Sequence, residues 1–364
     1  MTTARGPRRN PFRILAGLLG VALLSAGVAA GVTLAVLKLQ SRTNPQQVDL
    51  RNGVTITESS AVTQVAAKAI PAVVTIVTRL QPDLVYGSGF FVTTDGYIVT
   101  NVDVVTGAAM LIVLYPGDAK RHDARLVDYD CETRVAVVKI DQVSGLPTLG
   151  FGDSTALVVG QTVIAIGGPL ATSTVEPGVV SALHRAVTVD DPIVAGRTND
   201  ISDTIQTTAS IDRSGSGGPL LNVSGQVVGI AVAAKHGGID IDYAIDEAMV
   251  QAEVTQILSS GQVVFASLGV KASDIGSQVA SLQDLPVGAL VSSVDSGGPA
   301  AGAGIKSGDV ITQIDDVKLD AAHPLTFLLR TGFHPNQRVA VTYFRNGQSS
   351  QVQLQLHSAR PLCQ

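Results

Sequence analysis

Charged residues are scarce in this sequence. Asp, Glu, Lys and Arg make up only 15% of the 364 residues, and the formal net charge is −5. Because the net charge is not positive, the sequence gives no reason to expect nucleic-acid binding. The low charge occurs together with 45% hydrophobic residues and 37 glycines. This composition argues against a long helical bundle and favours β-structure built from small residues and tight turns.

Cysteine is almost absent. The two cysteines, Cys131 and Cys363, lie far apart and belong to no CxxC or metal-binding pattern. Such a pair is not the disulfide framework of a small secreted domain. We expect Cys363, which is one residue from the C-terminus, to lie on a loose tail. The sequence predicts no metal site and no cofactor.

The N-terminal segment has the pattern of a membrane anchor. Four arginines between Arg5 and Arg13 precede an uncharged run of 24 residues at 14–37. A helix of that length measures about 36 Å, enough to cross a hydrocarbon core of about 30 Å. The arginines favour a cytoplasmic N-terminus, which places the later domains on the extracytoplasmic side. A cleaved signal peptide is the alternative, although its apolar region is usually about 7–15 residues long.

The remainder of the chain divides by composition into a polar linker and two β-rich blocks. Short apolar runs separated by Gly, Pro, Asp and Asn are typical of barrels or a sandwich. Asn346-Gly347 stands between two alternating apolar runs and predicts a β-hairpin. Asp246 and Glu247 open a predicted helix. The predicted regions are a basic cytoplasmic terminus (1–13), a transmembrane helix (14–38), a linker (39–57), a first domain (58–261), a second domain (262–358) and a tail (359–364).

Four motifs in this order resemble one family, the membrane-anchored HtrA (DegP/DegS-like) proteases. They are GSGFFVTTDGYIVTN at 87–101, GGPLATSTVEPGVVSALHR at 167–185, SGGPLLNVSGQVVGI at 216–230 and GGPAAGAGIKSGDVITQIDD at 297–316. The resemblance covers nearly the whole chain. It implies a mainly β fold, in which a double six-stranded β-barrel of the trypsin/chymotrypsin type is followed by a PDZ domain, with one N-terminal transmembrane helix.

The catalytic triad implied by the resemblance is incomplete. The resemblance assigns the nucleophile to Ser216, the histidine to position 103 and the aspartate to position 134, but those two positions hold Asp103 and Arg134. The oxyanion region is Ser214, Gly215 and Ser216. Ser214 stands where the family has glycine, and serine resists backbone angles that glycine adopts.

The two replacements change the expected chemistry. A serine hydroxyl needs a general base, and histidine suits this role because its pKa is about 6.5. A carboxylate has a reference pKa of about 3.9, and a nearby cation lowers its basicity further. We predict that Asp103 and Arg134 form a salt bridge in the former cleft. The alternative is that both side chains point to solvent. His236, after the strand that follows Ser216, is the first candidate for a replacement base.

The second domain retains a function by resemblance. PDZ domains add an extended C-terminal peptide as a strand and hold its carboxylate in a nest of backbone N–H groups. The matching loop is Ser267, Leu268, Gly269 and Val270. We predict a membrane-anchored, non-cleaving protein that binds protein C-termini or unfolded envelope proteins as a scaffold, adaptor or regulator. The alternatives are an active serine endopeptidase of protein quality control with a non-standard base, and a non-catalytic subunit of a membrane complex, as a homotrimer or a mixed oligomer.

Overall fold

The computed structural model describes residues 57–80, 83–168, 173–190, 198–236, 239–361 and 363. The chain divides after Ile56, and the part from Thr57 onward is one compact unit. Within that part, every helix is too short or too polar to span a membrane. The predicted transmembrane helix at 14–38 lies outside the described residues.

In the first barrel, one face of a strand packs into the barrel interior and the other packs into the apolar seam between the two barrels. In β6, Val137 packs against the second barrel while Val138 packs inside the first, because successive side chains of a strand point to opposite faces. The barrel closes in the order β1-β2-β3-β6-β5-β4. Its strands are β1 (Val73–Leu80), β2 (Asp83–Phe91), β3 (Tyr97–Asn101), β4 (Leu111–Tyr115), β5 (Asp118–Tyr129) and β6 (Val135–Ile140).

The second barrel repeats the arrangement and closes in the order β10-β11-β12-β9-β8-β7. Ile164 and Leu221 lie in the apolar seam that it shares with the first barrel, whereas Val163 and Leu220 fill its interior. Its strands are β7 (Thr162–Gly167), β8 (Thr174–Asp190), β9 (Thr198–Thr207), β10 (Pro219–Asn222), β11 (Val227–His236) and β12 (Ile239–Asp246). The predicted pair of six-stranded barrels is therefore present.

The C-terminal block is a sheet with its own apolar core. The sheet has the order β14-β15-β16-β18-β19, and β14 forms one of its edges. A separate strand pair joins β13 to β20. The predicted hairpin is confirmed, because Asn346 and Gly347 adopt φ values of 50° and 81° between β18 and β19. The strands are β13 (Phe265–Ser267), β14 (Val270–Ile275), β15 (Gly288–Val294), β16 (Val310–Ile314), β17 (Val317–Lys318), β18 (Arg338–Arg345), β19 (Gln348–Gln355) and β20 (His357–Ala359).

Short helices flank these strands. The helix predicted at Asp246 is present, with Asp246 accepting from Ala248 N as the N-cap and Gly261 left-handed as the C-cap. The helices are α1 (Thr57–Ala69), α2 (Val102–Val105), α3 (Glu247–Ser260), α4 (Ser277–Gln283), α5 (Pro299–Gly302) and α6 (Leu325–Thr331).

The expectation of a loose tail at Cys363 is wrong. Cys131 and Cys363 form a disulfide across 232 residues of sequence. Pairing of β20 with β13 carries the C-terminal segment back to the first barrel, where Cys131 lies in the turn between β5 and β6. Sequence spacing could not reveal this pair, because the tertiary path of the tail brings the two sulfurs together.

The start of α3 makes the fold sensitive to pH. Burial raises the pKa of Asp246 to about 6 and the pKa of Glu247 to about 7. A carboxyl whose folded pKa exceeds its unfolded pKa contributes stability below the unfolded value and loses it as pH rises through the folded value. We expect Glu247→Gln to raise the free energy of unfolding by about 1–2 kcal/mol at pH 8, with little gain near pH 4.

Urea unfolding at both pH values measures this effect. Gln keeps the carbonyl oxygen that accepts from Ser154 N. The matched control is Glu176→Gln, because the Glu176 side chain is exposed. An equal gain for Glu247→Gln at both pH values would show that the change in charge is not responsible.

Candidate active site

Ser216 lies between the barrels, in the turn that joins β9 to β10. It is only 4% exposed. Its Oγ accepts a hydrogen bond from Asn101 Nδ2 at 2.7 Å and another from Ala233 N at 3.3 Å. The backbone of the turn is fixed against the first barrel by Ser88 N, which donates to Ser216 O at 2.8 Å. Two donors therefore contact the hydroxyl to which the family resemblance assigns the role of nucleophile.

Asn101 is a site residue that sequence reasoning missed. It ends β3 and caps α2, with its Oδ1 accepting from Val104 N at 3.1 Å. Capping uses the oxygen and fixes the amide, so that Nδ2 is directed at Ser216 across the barrel seam. The local signal was an Asn directly before a helical turn, but its distant partner could not be read from the sequence.

The predicted ion pair is present beside Asn101. Arg134 Nη2 donates to Asp103 Oδ1. Asp103 lies in the first turn of α2, and Arg134 adopts a left-handed φ of 69° just before β6. Arg134 O accepts from Val102 N at 2.8 Å, which joins the two segments by their backbones. The Arg134 side chain is 4% exposed and the Asp103 side chain is 18% exposed, so the arginine is buried, the aspartate is partly buried, and the two pair with each other rather than pointing to solvent.

The predicted oxyanion region at Ser214, Gly215 and Ser216 is hydrogen-bonded to Asp212. Asp212 O accepts from Ser216 N at 3.1 Å and from Gly215 N at 3.0 Å. Asp212 Oδ1 accepts from Gly215 N at 2.6 Å and from Ser214 Oγ at 2.8 Å. Stabilising an oxyanion requires N–H groups directed at the developing charge. In this conformation the Ser216 N–H is directed at Asp212 instead. Sequence reasoning identified Ser214 as unfavourable but did not identify Asp212.

Gly217 explains why the Ser-Gly-Gly turn is retained. Its φ is 88°, and a Cβ there would lie 2.3 Å from both Ser88 O and Thr100 Oγ1. Gly217 N also donates to Ala231 O at 2.7 Å. The turn therefore needs glycine to pack against the first barrel, whether or not Ser216 reacts.

The histidines with described side-chain contacts have partners away from Ser216. His122 contacts Asp118 and His184 Nδ1 lies 2.6 Å from Asp203 Oδ1. His236 ends β11, but its side chain lies outside the described residues. Tyr243 is buried, and burial raises the pKa of its hydroxyl above the ordinary value, so it remains protonated at neutral pH and does not supply a base.

The predicted carboxylate loop precedes the edge strand β14. Gly269 is left-handed with φ 69°, and its carbonyl accepts from Asp295 N at 2.9 Å. Leu268 O accepts from Ala300 N at 2.9 Å. Ser267 Oγ accepts from Gly269 N at 3.0 Å, which uses one of the N–H groups of the loop. Val270 opens β14. The loop is thus held in a left-handed turn at the start of an edge strand.

Helix α6 packs into the core of the C-terminal block and begins beside β14. Leu325, Leu328 and Leu329 pack into the apolar core of the C-terminal block. Leu325 N donates to Asp274 Oδ1 of β14 at 3.1 Å, so the helix begins beside that strand. The opposite face of α6 carries Arg330, which reaches the first barrel and α3.

Comparison with known proteins agrees with this architecture. Residues 87–230 match the trypsin-like peptidase domain, and residues 268–356 match the PDZ domain. A solved structure titled "HtrA-type protease AlgW with tripeptide" superposes with a TM-score of 0.65 at 30% identity, covering 82% of this chain and 98% of that chain. The chain belongs to the HtrA family.

Curated HtrA relatives are named as proteases. The probable periplasmic serine endoprotease DegP-like of Chlamydia trachomatis is 38% identical over 278 residues, which is 75% of this chain and 54% of the relative. The serine protease PepD of Mycobacterium tuberculosis is 35% identical over 319 residues, 82% of this chain and 66% of the relative. The chain therefore spans about half the length of the DegP-like relatives it matches.

Proposed function

We propose that this HtrA-family chain is a pseudoprotease of the cell envelope, which binds polypeptide segments without cleaving them. The observation that carries the proposal is the Asp103–Arg134 ion pair, which stands where the resemblance assigns the triad histidine and aspartate. The position of the base therefore holds a carboxylate that is already hydrogen-bonded to the guanidinium of Arg134. Ser216 Oγ meanwhile accepts from Asn101 and Ala233, and neither group is a base.

The backbone around the serine supports the same proposal. Acyl transfer needs both an activated nucleophile and preorganised donors for the oxyanion. Ser216 N is hydrogen-bonded to Asp212 O, so the turn would have to rearrange before it could hold a tetrahedral intermediate. The loss of the base and the occupied N–H remove two separate contributions to the same step, the attack of the serine on the acyl group.

Peptide binding is the retained half of the proposed function. The HtrA-type protease AlgW has been solved with a tripeptide and with a decapeptide. By the same architecture, we place an extended peptide along β14, between that strand and α6, with its C-terminal carboxylate at Ser267–Val270. Client proteins would supply exposed or unfolded C-termini, and the chain would serve as a scaffold, adaptor or regulator.

The compartment of this activity is proposed to be extracytoplasmic. Relatives are named as periplasmic, and disulfides such as Cys131–Cys363 persist in oxidising compartments. The run at 14–38 would anchor the chain to the membrane as a single pass. A homotrimer or a mixed oligomer is part of the same proposal, and sedimentation of the full-length protein tests it.

Labelling with a serine-directed phosphonate probe tests the absence of catalysis. We expect the full-length protein to label, and to cleave an unfolded substrate, no faster than Ser216→Ala, since loss of a triad base costs about 10⁶-fold in subtilisin. Labelling that depends on Ser216 would favour the alternative, an active endopeptidase with a non-standard base. His236→Ala then identifies whether His236 supplies that base.

Peptide affinity tests the PDZ half. We expect a peptide with a free C-terminal carboxylate to bind at least about 10-fold more tightly than its amide, because charge-assisted hydrogen bonds to the loop are lost. Gly269→Ala should weaken binding about 10-fold, because alanine is strained at the positive φ of Gly269. The matched control is Gly297→Ala, at φ 79° with open space around it, which should leave affinity unchanged. Equal affinity for acid and amide in a fluorescence anisotropy titration would reject the carboxylate site.

A further inference from the structure

Two interactions join the turn between β5 and β6 to the C-terminal part of the chain. The first is covalent, the disulfide between Cys131 and Cys363. The second is ionic, because Arg330 of α6 contacts the residues on either side of Cys131. Arg330 Nη1 donates to Asp130 Oδ2, and Arg330 Nη2 donates to Glu132 Oε2 at 2.6 Å.

The ion pairs of Arg330 lie in the protein interior. Arg330 Nη1 also donates to Glu253 Oε1 of α3 at 3.2 Å, and its guanidinium lies 3.9 Å from the centroid of the Phe265 ring. The side chains of Arg330, Asp130 and Glu253 are at most 2% exposed. A buried ion group of this kind is stable only while its geometry is maintained, because each charge has lost its hydration.

The same turn leads directly to the Asp103–Arg134 ion pair. Thr133 Oγ1 donates to Glu253 Oε2 at 2.9 Å, and the next residue is Arg134, whose guanidinium pairs with Asp103. The five residues from Asp130 to Arg134 therefore link the junction with the C-terminal block to the Asp103–Arg134 ion pair. A change in how the turn is held at Cys131 acts on the segment that positions Arg134.

The disulfide supports the short strand pair β13–β20. β20 pairs with β13 through only three residues on each strand, and such a short pair is marginal without further support. The disulfide keeps the tail beyond β20 close to Cys131, while Arg360 Nη2 adds a partly exposed contact to Asp128 Oδ2 at 3.1 Å. Both cysteines are partly exposed, so the disulfide does not lie in the protein core.

We propose that Cys131–Cys363 is a thiol-exchange site at which a dithiol reductant loosens the junction between the barrels and the PDZ domain. One thiolate of the reductant attacks a cystine sulfur, which breaks the S–S bond, forms a mixed disulfide and releases the other cysteine as a thiolate. The second thiol of the reductant then displaces the remaining cysteine. The cystine gains two electrons and two protons, and the reductant becomes a disulfide. Release of the tail frees β20 and relaxes the turn that carries Arg134.

Hydrogen exchange of the full-length protein, with and without dithiothreitol, tests the proposal. Reduction is expected to speed amide exchange about 10-fold at 128–136, 325–332 and 357–363, the segments that the junction holds, and to leave 219–222 unchanged. The chain contains two cysteines, so the reductant has no other disulfide within it to act on. Maleimide labelling, read by mass, counts the thiols that are released.

Cys363→Ser separates the bond from other effects of the reductant. In oxidising buffer the variant should reproduce the faster exchange, and dithiothreitol should change nothing further. Identical exchange in the oxidised and reduced wild-type protein would overturn the proposal, since the Arg330 network would then hold the junction alone. A cystine that releases no thiols in the folded protein would overturn it as well. If the variant does not fold, the comparison of oxidised and reduced wild-type protein is the test.

Discussion

The triple variant Asp103→His/Arg134→Asp/Ser214→Gly is expected to hydrolyse a peptide ester at least about 100-fold faster than the wild-type protein, because loss of a triad member costs about 10⁴–10⁶ in turnover and partial restoration already exceeds the background. The replaced positions lie where the resemblance assigns a contacting histidine and aspartate, and the wild-type residues there already contact each other. Histidine in place of Asp103 would supply the base, and aspartate in place of Arg134 would orient it.

The glycine substitution addresses the second obstacle. Ser214 Oγ donates to Asp212 Oδ1, while Asp212 O accepts from Ser216 N. We therefore expect Asp103→His/Arg134→Asp to be less active than the triple variant, because its oxyanion donors remain engaged. Steady-state ester hydrolysis measures both variants. The control adds Ser216→Ala to the triple variant and should abolish the gain. A folded triple variant with no activity above that control would mean that the cleft cannot support acyl transfer for some reason other than its missing triad.

Arg330→Met is expected to lower the free energy of unfolding by about 3–5 kcal/mol, because it leaves buried carboxylates without their cation. Burial, together with the neighbouring Asp130, raises the pKa of Glu253, while Arg330 opposes that rise. Removing the arginine raises this pKa further. The loss of stability should therefore be larger at pH 8, where the Glu253 carboxyl favours ionisation, than at pH 5, where it accepts a proton more readily.

Urea unfolding of two comparison variants isolates the buried charge. Arg360→Met removes an arginine that is 57% exposed and paired with Asp128, and should cost at most about 1 kcal/mol. Adding Asp130→Asn and Glu253→Gln to Arg330→Met should recover much of the loss, since no buried charge remains unpaired. A loss for Arg330→Met no larger than that for Arg360→Met would mean that water reaches the carboxylates.

Local patterns in the sequence predicted much of the fold correctly. The hairpin at Asn346-Gly347 and the helix that Asp246 caps depend on a few adjacent residues, whose backbone preferences are strong. The Asp103–Arg134 pair was predicted because the resemblance brought two opposite charges to contacting positions. The predicted anchor at 14–38 depends on composition alone and remains a prediction.

The features that the sequence did not reveal all join distant segments. Asn101 reaches Ser216 across 115 residues, and Cys131 reaches Cys363 across 232. Arg330 lies in the last turn of α6, yet it is buried with carboxylates from the β5–β6 turn and from α3. Local sequence preferences do not predict such contacts, because each of these residue types also occurs at solvent-exposed positions.

The sequence, through its resemblance to the HtrA family, predicted two barrels and a PDZ-like sheet, and the same resemblance assigned the triad positions to Asp103, Arg134 and Ser216. Only the tertiary structure decided that the Ser216 N–H is bound by Asp212 and that a disulfide joins the tail to the turn before Arg134. The physical reason is that side-chain type and periodicity are properties of short segments. Hydrogen-bond pairing, burial of charge and disulfide formation depend on which surfaces meet once the barrels have closed.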